Sequence, residues 1–342
     1  MTGFLTHKTV TRLAVLWAVF FFIGLCLGYP TLNRYDPKQT GLADTRYYTT
    51  MVEQDLSTLS HGHWRYRVLT PLMAKPVYKL AQGRIGSWNP AFFALLVINS
   101  AFCAATAVLL TVFGLKLFGD MRAGLLGAFL FLTNFNVPNL YLSGLVDASE
   151  VFFLGVVAWT LFHRKWLWLP LLGVAGGLAR ETFVPFSGAL FGGWYLAERW
   201  YRDRPIFSAL CGAVMVFLGL VTVFLVRFLV SGVPEMPWDT ASSEIPSLTR
   251  IVTAMSDTLF NRNLLYTFAV LIPLGIPGLR GVPKGWVTGS ACAALLALVL
   301  GAGAGAGDNI GRPLFSAMGL VLTVSAAGFL WRFLEPGNEE RR

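Results

Sequence analysis

Long apolar runs alternate with short polar connectors along almost the whole chain. A helix needs roughly 17–25 such residues to cross a bilayer. Runs of this kind fall at about 11–29, 90–117, 121–136, 145–162, 166–179, 182–197, 206–230, 262–279, 286–306 and 311–333. The pattern predicts an all-α polytopic membrane protein with about ten transmembrane helices in a single integral membrane domain, residues 1–342. The third, fifth and sixth runs are short or interrupted, as partly re-entrant segments are. One connector breaks the rhythm. Residues 30–89 form a long polar loop between the first two runs, followed by core spans over 90–230, a second long connector at 231–261, C-terminal spans over 262–333 and a tail at 334–342.

Composition agrees with the pattern. The chain is 55% hydrophobic and 13% charged, with a mean hydropathy of +0.60, against roughly a quarter charged for a soluble domain. The net charge of +9 is spread over short connectors and is no nucleic-acid signal. Cys26, Cys103, Cys211 and Cys292 all lie in apolar runs without metal spacing, and read as small buried hydrophobes. The first run follows Lys8 and Arg12. It is long for a signal peptide and ends in Tyr29-Pro30 rather than a small-residue cleavage site, so it reads as a retained span.

The connectors also orient the chain. With the N-terminus inside, Lys8 and Arg12, Lys116 and Arg122, the run 163–165, Arg199 to Arg204, Arg280 and Lys284, and the C-terminal arginines all fall inside, as the positive-inside rule requires. The loop 30–89, the turn 136–144, the pair Arg180-Glu181, the loop 231–261 and the turn 307–311 then face outside. Basic residues on that outer side, among them Arg34, Lys38, Arg46, Arg65, Arg67, Arg84, Arg180, Arg250 and Arg312, are not topology signals and point to an anionic ligand. An excess of Arg over Lys with abundant Gly and Ala fits the inner membrane of a GC-rich bacterium.

Six ionisable groups share one depth at the outer helix ends. Asp147 and Glu150 open the fourth span three residues apart, on one helix face. Arg180-Glu181 interrupts spans five and six, and Asp308 and Arg312 flank the start of the last span. A charge at a span centre costs about 2.5–3.5 kcal/mol on insertion scales. Such a set reads as the lining of an outward-facing aqueous cavity, against internal ion pairing that rivets helix ends together.

Two patterns stand in the first loop, Asp44-Thr-Arg-Tyr47-Tyr48 and Arg65-Tyr-Arg67-Val-Leu-Thr-Pro71. Residues 45–59 suit an amphipathic helix along the membrane surface with Asp44 as N-cap. A second such helix is expected over 69–81, with Pro71 in its first turn. In an extended segment Arg65 and Arg67 point the same way, a pairing that suits phosphate or carboxylate or an anionic lipid headgroup. His61 and His63 lack a third ligand, so a metal is not supported. The alternating glycines of 301–307 read as close helix packing.

A bundle whose first outer loop carries Asp44 with Tyr47-Tyr48 and then Arg65-Tyr-Arg67-Val-Leu-Thr-Pro71 resembles the GT-C glycosyltransferase superfamily. Gly144-Leu-Val-Asp147, Gly177-Leu-Ala-Arg180-Glu181-Thr182 and Arg312-Pro313 add to the likeness. These motifs are short, and their order and common side carry it. The resemblance implies a GT-C-like bundle with two juxtamembrane helices in the first extracytoplasmic loop, a polyprenyl-phosphate-linked sugar as donor and a glycan or lipid acceptor. Family acidic pairs often stand adjacent in the first loop; here Ala43 precedes Asp44, so no cofactor is expected to be required and a divalent metal is not supported by the sequence. The expected chemistry is inverting transfer. Asp44 takes the proton of an acceptor hydroxyl. Arg65, Arg67, Arg180 and Arg312 hold the leaving phosphate, and Tyr48, Asp147, Glu150, Glu181 and Asp308 complete the binding surface. The alternative is a transporter or flippase of a lipid-linked glycan, which would need polar access from both faces. Other lipid-dependent transferases call for a metal cluster or a nucleophile with a partnered histidine, and neither pattern is present. A purely structural subunit leaves the outer charges without a reason.

Overall fold

In a computed structural model, residues 7–35, 44–54, 63–199, 206–234, 262–303 and 310–334 are described, together with isolated positions between 249 and 256. The helices are α1 (His7–Arg34), α2 (Thr45–Glu53), α3 (Leu69–Ala81), α4 (Pro90–Phe118), α5 (Met121–Leu132), α6 (Asp147–Phe162), α7 (Leu169–Ala179), α8 (Phe183–Arg199), α9 (Ile206–Ser231), α10 (Arg262–Phe268), α11 (Leu271–Gly278), α12 (Lys284–Gly303) and α13 (Gly311–Leu334). No strand occurs among the described residues.

Helix ends follow local chemistry. Asn89 caps α4 by accepting from the Phe92 amide at 2.9 Å, Pro90 takes the first position, and Gly119 ends the helix in a left-handed conformation at φ 74°, the usual proline-first, glycine-last asymmetry. Asp120 then caps α5 through the Arg122 amide at 2.7 Å.

Among the described residues, five helices are long and apolar enough to cross a membrane: Val10–Arg34, Pro90–Phe118, Ile206–Ser231, Lys284–Gly301 and Gly311–Leu334. The pair Arg262–Phe268 and Leu271–Gly281, bent by 43°, makes a sixth if taken as one. The protein is therefore helical and membrane-embedded in character. The expected run 262–279 is broken because Pro273 lacks an amide hydrogen and its ring crowds the carbonyl four residues earlier, at Ala269. The runs expected at 121–136, 145–162, 166–179 and 182–197 are occupied by helices of 12, 16, 11 and 17 residues, the first three shorter than a regular span and the last at its lower limit of roughly 17.

The helices pack through small residues, which let backbones approach where water offers no hydrophobic driving force. Gly114 of α4 lies against Gly124 of α5, Gly173 of α7 against the Met215 carbonyl of α9, Gly193 of α8 against Gly289 of α12, and Gly278 of α11 against the Ser325 carbonyl of α13. α1 runs along α4 but presents Val15, Phe22 and Ile23 outward. Cys26 is exposed there and Cys292 half-buried, whereas Cys103 and Cys211 are buried. The expectation of four buried thiols thus holds for two, because an apolar run at the bundle's rim faces lipid rather than protein.

α3 matches its expected range, and Pro71 sits in its first turn. α2 starts where expected but ends at Glu53, with Gln54 extended, rather than running on towards 59; residues 55–59 lie outside the described residues, as do His61, Arg250 and all of 304–309, Asp308 included.

Candidate active site

α2 begins at Asp44, whose backbone occupies the N-cap position but whose side chain makes no capping hydrogen bond. The carboxylate is turned instead towards Arg67, with Oδ2 3.9 Å from Nη1, and its side chain is 29% exposed. One turn on, Tyr48 lies on the same helix face and is fully buried; its phenol oxygen accepts from Arg67 Nη1 at 2.9 Å. Burial raises the Tyr48 pKa, and the charges of Arg67 and Arg312 offset this only in part. The first turn of α2 is tied down by Thr45, which donates to the Ser143 carbonyl at 2.8 Å. The neighbouring Gly144 has φ 90°, with the Thr45 methyl and the Phe92 ring against it, so a side chain there would be both strained and crowded.

Residues His63–Tyr66 form a 3₁₀ turn rather than the extended strip expected around Arg65 and Arg67. Trp64 and Tyr66 are both pulled into the core, with Trp64 stacked on Tyr47 at 4.3 Å, and that anchoring coils the segment. The two arginines consequently diverge. Arg67 grips Glu181 through Nε, 3.1 Å from both carboxylate oxygens, and Nη2, 2.6 Å from Oε1. Burial on its own would raise the Glu181 pKa, but the Arg67 guanidinium, and Arg180 after it, pull it down to about 2. Burial would likewise lower the Arg67 pKa, yet Glu181 and Tyr48 hold it well above its ordinary value. Arg65 turns back to Tyr66, bonding its phenol oxygen at 2.5 Å and lying 4.8 Å from the ring centroid. Arg227 of α9 reaches the same ring at 4.6 Å.

Behind this group lies a second, deeper one. Asp147 and Glu150, in the first turn of α6, are both fully buried and both accept from Arg180 Nη1, Glu150 at 3.0 Å. Arg312 at the start of α13 forks onto Asp147, Nε to Oδ1 and Nη2 to Oδ2, each at 2.6 Å. Thr182 donates to the other Glu150 oxygen. The start of α6, the α7–α8 break and the start of α13 are therefore joined by charge pairs that bond one another. Such partners offset much of the cost of burying the charges, although Arg180 Nε is buried without a hydrogen-bond partner. Thr70 of α3 adds a link to Ser149 of α6 at 3.2 Å.

Of the residues singled out from sequence, Asp44, Tyr48, Arg67 and Glu181 form one contact group, and Asp147, Glu150, Arg180 and Arg312 another. The groups meet at the Arg180-Glu181 bond. Arg65 bonds Tyr66, and Asp308 lies outside the described residues. Arg180 and Arg312 are engaged by carboxylates, and Asp147 and Glu150 hold arginines. Sequence reading missed Arg227, Tyr66 and Thr182. Arg227 did carry a signal, being a lone charge near the end of an otherwise apolar 26-residue helix, which is costly in a membrane and so functional or structural by default. Tyr66 and Thr182 did stand inside the two quoted patterns, at 65–71 and 177–182, but neither was given a role of its own. Among the described residues no group of three or more His, Cys, Asp or Glu side chains is placed to hold a metal ion. No protein-family model matches the chain, and no curated protein is detectably similar to it in sequence.

Proposed function

We propose that the chain is an inverting membrane glycosyltransferase of GT-C type. It would move a sugar from a polyprenyl-phosphate donor to an acceptor hydroxyl on the extracytoplasmic side of a bacterial inner membrane, with about ten helices entering the bilayer and both termini cytoplasmic. The observation that carries this reading is Asp44. It is a partly exposed carboxylate released from capping, at the rim of a buried charge network. A structural cap would spend its oxygens on the first amides of α2; this one leaves them for another proton.

In the reaction Asp44 accepts the proton of the acceptor hydroxyl. The acceptor oxygen forms its bond to the sugar C1 from the face opposite the lipid phosphate, and the C1–oxygen bond to phosphate breaks with its electron pair, inverting C1. Arg67, which pairs with Asp44, faces the developing phosphate charge with its Nη1 and remains protonated throughout. Fixed cations in a poorly hydrated site need no reorganisation as that charge forms. Asp147, Glu150, Arg180 and Arg312 act as the frame that holds α6, the α7–α8 break and α13 around it.

The experiment uses purified protein in liposomes with a labelled polyprenyl-phosphate sugar. Acceptor-dependent release of free polyprenyl phosphate is the expected result. Movement of intact donor across the bilayer without its consumption would instead mark a transporter. Asp44→Asn should retain the wild-type melting temperature and lose about 10²–10⁴-fold in rate, the usual worth of a general base; full activity in that variant removes Asp44 from the mechanism.

A further inference from the structure

At the far end of the bundle lies a cavity that the proposed reaction does not use. α6 starts at Asp147 in the charge network and ends beside the cavity at Phe162, about 22 Å away at 1.5 Å per residue. The space measures about 420 Å³, and Phe162, Arg164, Trp194, Glu198, Lys284 and Gly285 line it. Three features of its walls act together. Arg164 is held with φ 56°, a left-handed conformation in which glycine is the ordinary residue after a helix, yet a long cation stands there and is exposed to the cavity's surroundings. Lys284 opens α12, so the positive end of that helix and an ammonium lie on one wall. Gly285 lets the Trp194 indole lie directly on the first turn of α12, since a Cβ there would come within 2.6 Å of the ring. The indole in turn donates to Glu198 at 2.8 Å and holds that carboxylate along its own helix, one turn on.

The geometry points to a binding site for a phosphate ester, carried by a phospholipid headgroup entering from the membrane boundary, with Arg164 and Lys284 on the phosphate, the half-buried Phe162 ring against the glycerol and upper acyl carbons, and the buried Trp194 indole as the wall behind them. Indole and aromatic rings favour that interfacial level, and guanidinium and ammonium are the usual phosphate partners. The site is separate from the proposed transfer site and does not depend on it.

The test uses delipidated full-length protein in a non-ionic detergent, with lipid retention read by native mass spectrometry and unfolding by thermal scan. The probes are phosphatidylglycerol, diacylglycerol with the same chains, soluble glycerol 3-phosphate and inorganic phosphate. Phosphatidylglycerol should bind and raise the melting temperature, and diacylglycerol should do neither. Arg164→Gly should melt no lower than wild type without lipid, because glycine suits the backbone there, while binding at least tenfold more weakly; Lys284→Gln should weaken binding several-fold. If glycerol 3-phosphate or phosphate alone reproduces the shift in an Arg164-dependent way, the phosphate ester is confirmed and its source is soluble rather than membranous. Undiminished binding by Arg164→Gly, equal binding of diacylglycerol, or an equal loss in Arg122→Gln, a cation placed elsewhere against Trp331, overturns the site.

Discussion

Arg67 makes more polar contacts than any other residue of the outer group: a fork onto Glu181, a bond to the Tyr48 phenol and an ion pair with Asp44. Removing one partner of a buried pair leaves the other as an uncompensated charge, at a cost of about 3–5 kcal/mol. Arg67→Met should therefore lower the melting temperature in detergent sharply. Arg67→Lys should restore only part, because an ammonium cannot make the planar fork. Adding Glu181→Gln to Arg67→Met should recover much of the loss, since the stranded carboxylate is then neutral; a double variant no better than Arg67→Met alone would argue that the pair is not coupled. Acid gives an independent check. The folded carboxyl of Glu181 binds its proton more weakly than the unfolded one, with a pKa of about 2 against 4.5. The unfolded chain therefore takes up more protons between those values, and this contribution to stability, whole above pH 4.5, is lost as pH falls towards 2. The stability gap between wild type and Glu181→Gln should be constant above that window and close within it. The charges themselves were legible in sequence because ionisable groups at helix ends are conspicuous in an apolar chain. Their partners were not: Arg65 and Arg67 alternate in sequence, and only the burial of Trp64 and Tyr66 turns the segment into a 3₁₀ coil that separates them.

Helix positions could be read from hydropathy because each apolar run is bounded by residues with a local role, such as Asn89-Pro90 at the start of α4 and Gly119 at its end. Helix lengths were less readable. The span expected over 121–136 gives way after Leu132, and Val137–Tyr141 winds as a wider π turn with Pro138 in it. Thr133, Asn134, Asn136 and Asn139 do lower the hydropathy of that irregular stretch, but Phe135 and Val137 stand between them, so the fall is gradual and the run reads past the helix end. Helix pairing was hidden as well, for glycine content alone does not say which glycine meets which backbone. The structure makes a contrast that can be measured. Gly124 of α5 faces the Thr111 carbonyl of α4, with no room for a Cβ, whereas Gly192 of α8 has open space where one would stand. Gly124→Ala should destabilise by about 1–3 kcal/mol, as overpacking does. Gly192→Ala should be neutral or stabilise by up to about 1 kcal/mol, through helix propensity and a less flexible unfolded chain. Comparable losses in both would mean that α4 and α5 do not approach as closely as Gly114 and Gly124 allow.

Residues 44, 67, 147, 181 and 312 come from five separate stretches and converge at one end of the bundle, while Phe162, Trp194 and Lys284 gather at the other. Successive helices reverse direction, so charged starts of α6 and α13 and the α7–α8 break must share an end; this much follows from counting runs, and it is why the site's membership was largely readable without coordinates. Which compartment each end faces rests on the basic connectors. That orientation decides the chemistry, because a lipid-linked donor is needed on the side of the membrane that lacks nucleotide sugars. Arg84, exposed beyond α3 in the connector that carries Asp44 and Arg67, and Lys165, exposed beyond α6 at the cavity end, report on the two sides. In a variant with Cys26 replaced by Ala, Arg84→Cys should react with a membrane-impermeant maleimide on intact cells. Lys165→Cys should react only after the membrane is opened. Cys103 and Cys211 are buried and contribute little background under native conditions, and the parent variant measures whatever Cys292 adds. The reverse labelling pattern would put Asp44 in the compartment where soluble activated sugars are made. The buried network would then still be a frame for a site, but the case for a polyprenyl-phosphate donor would fall with the orientation it depends on.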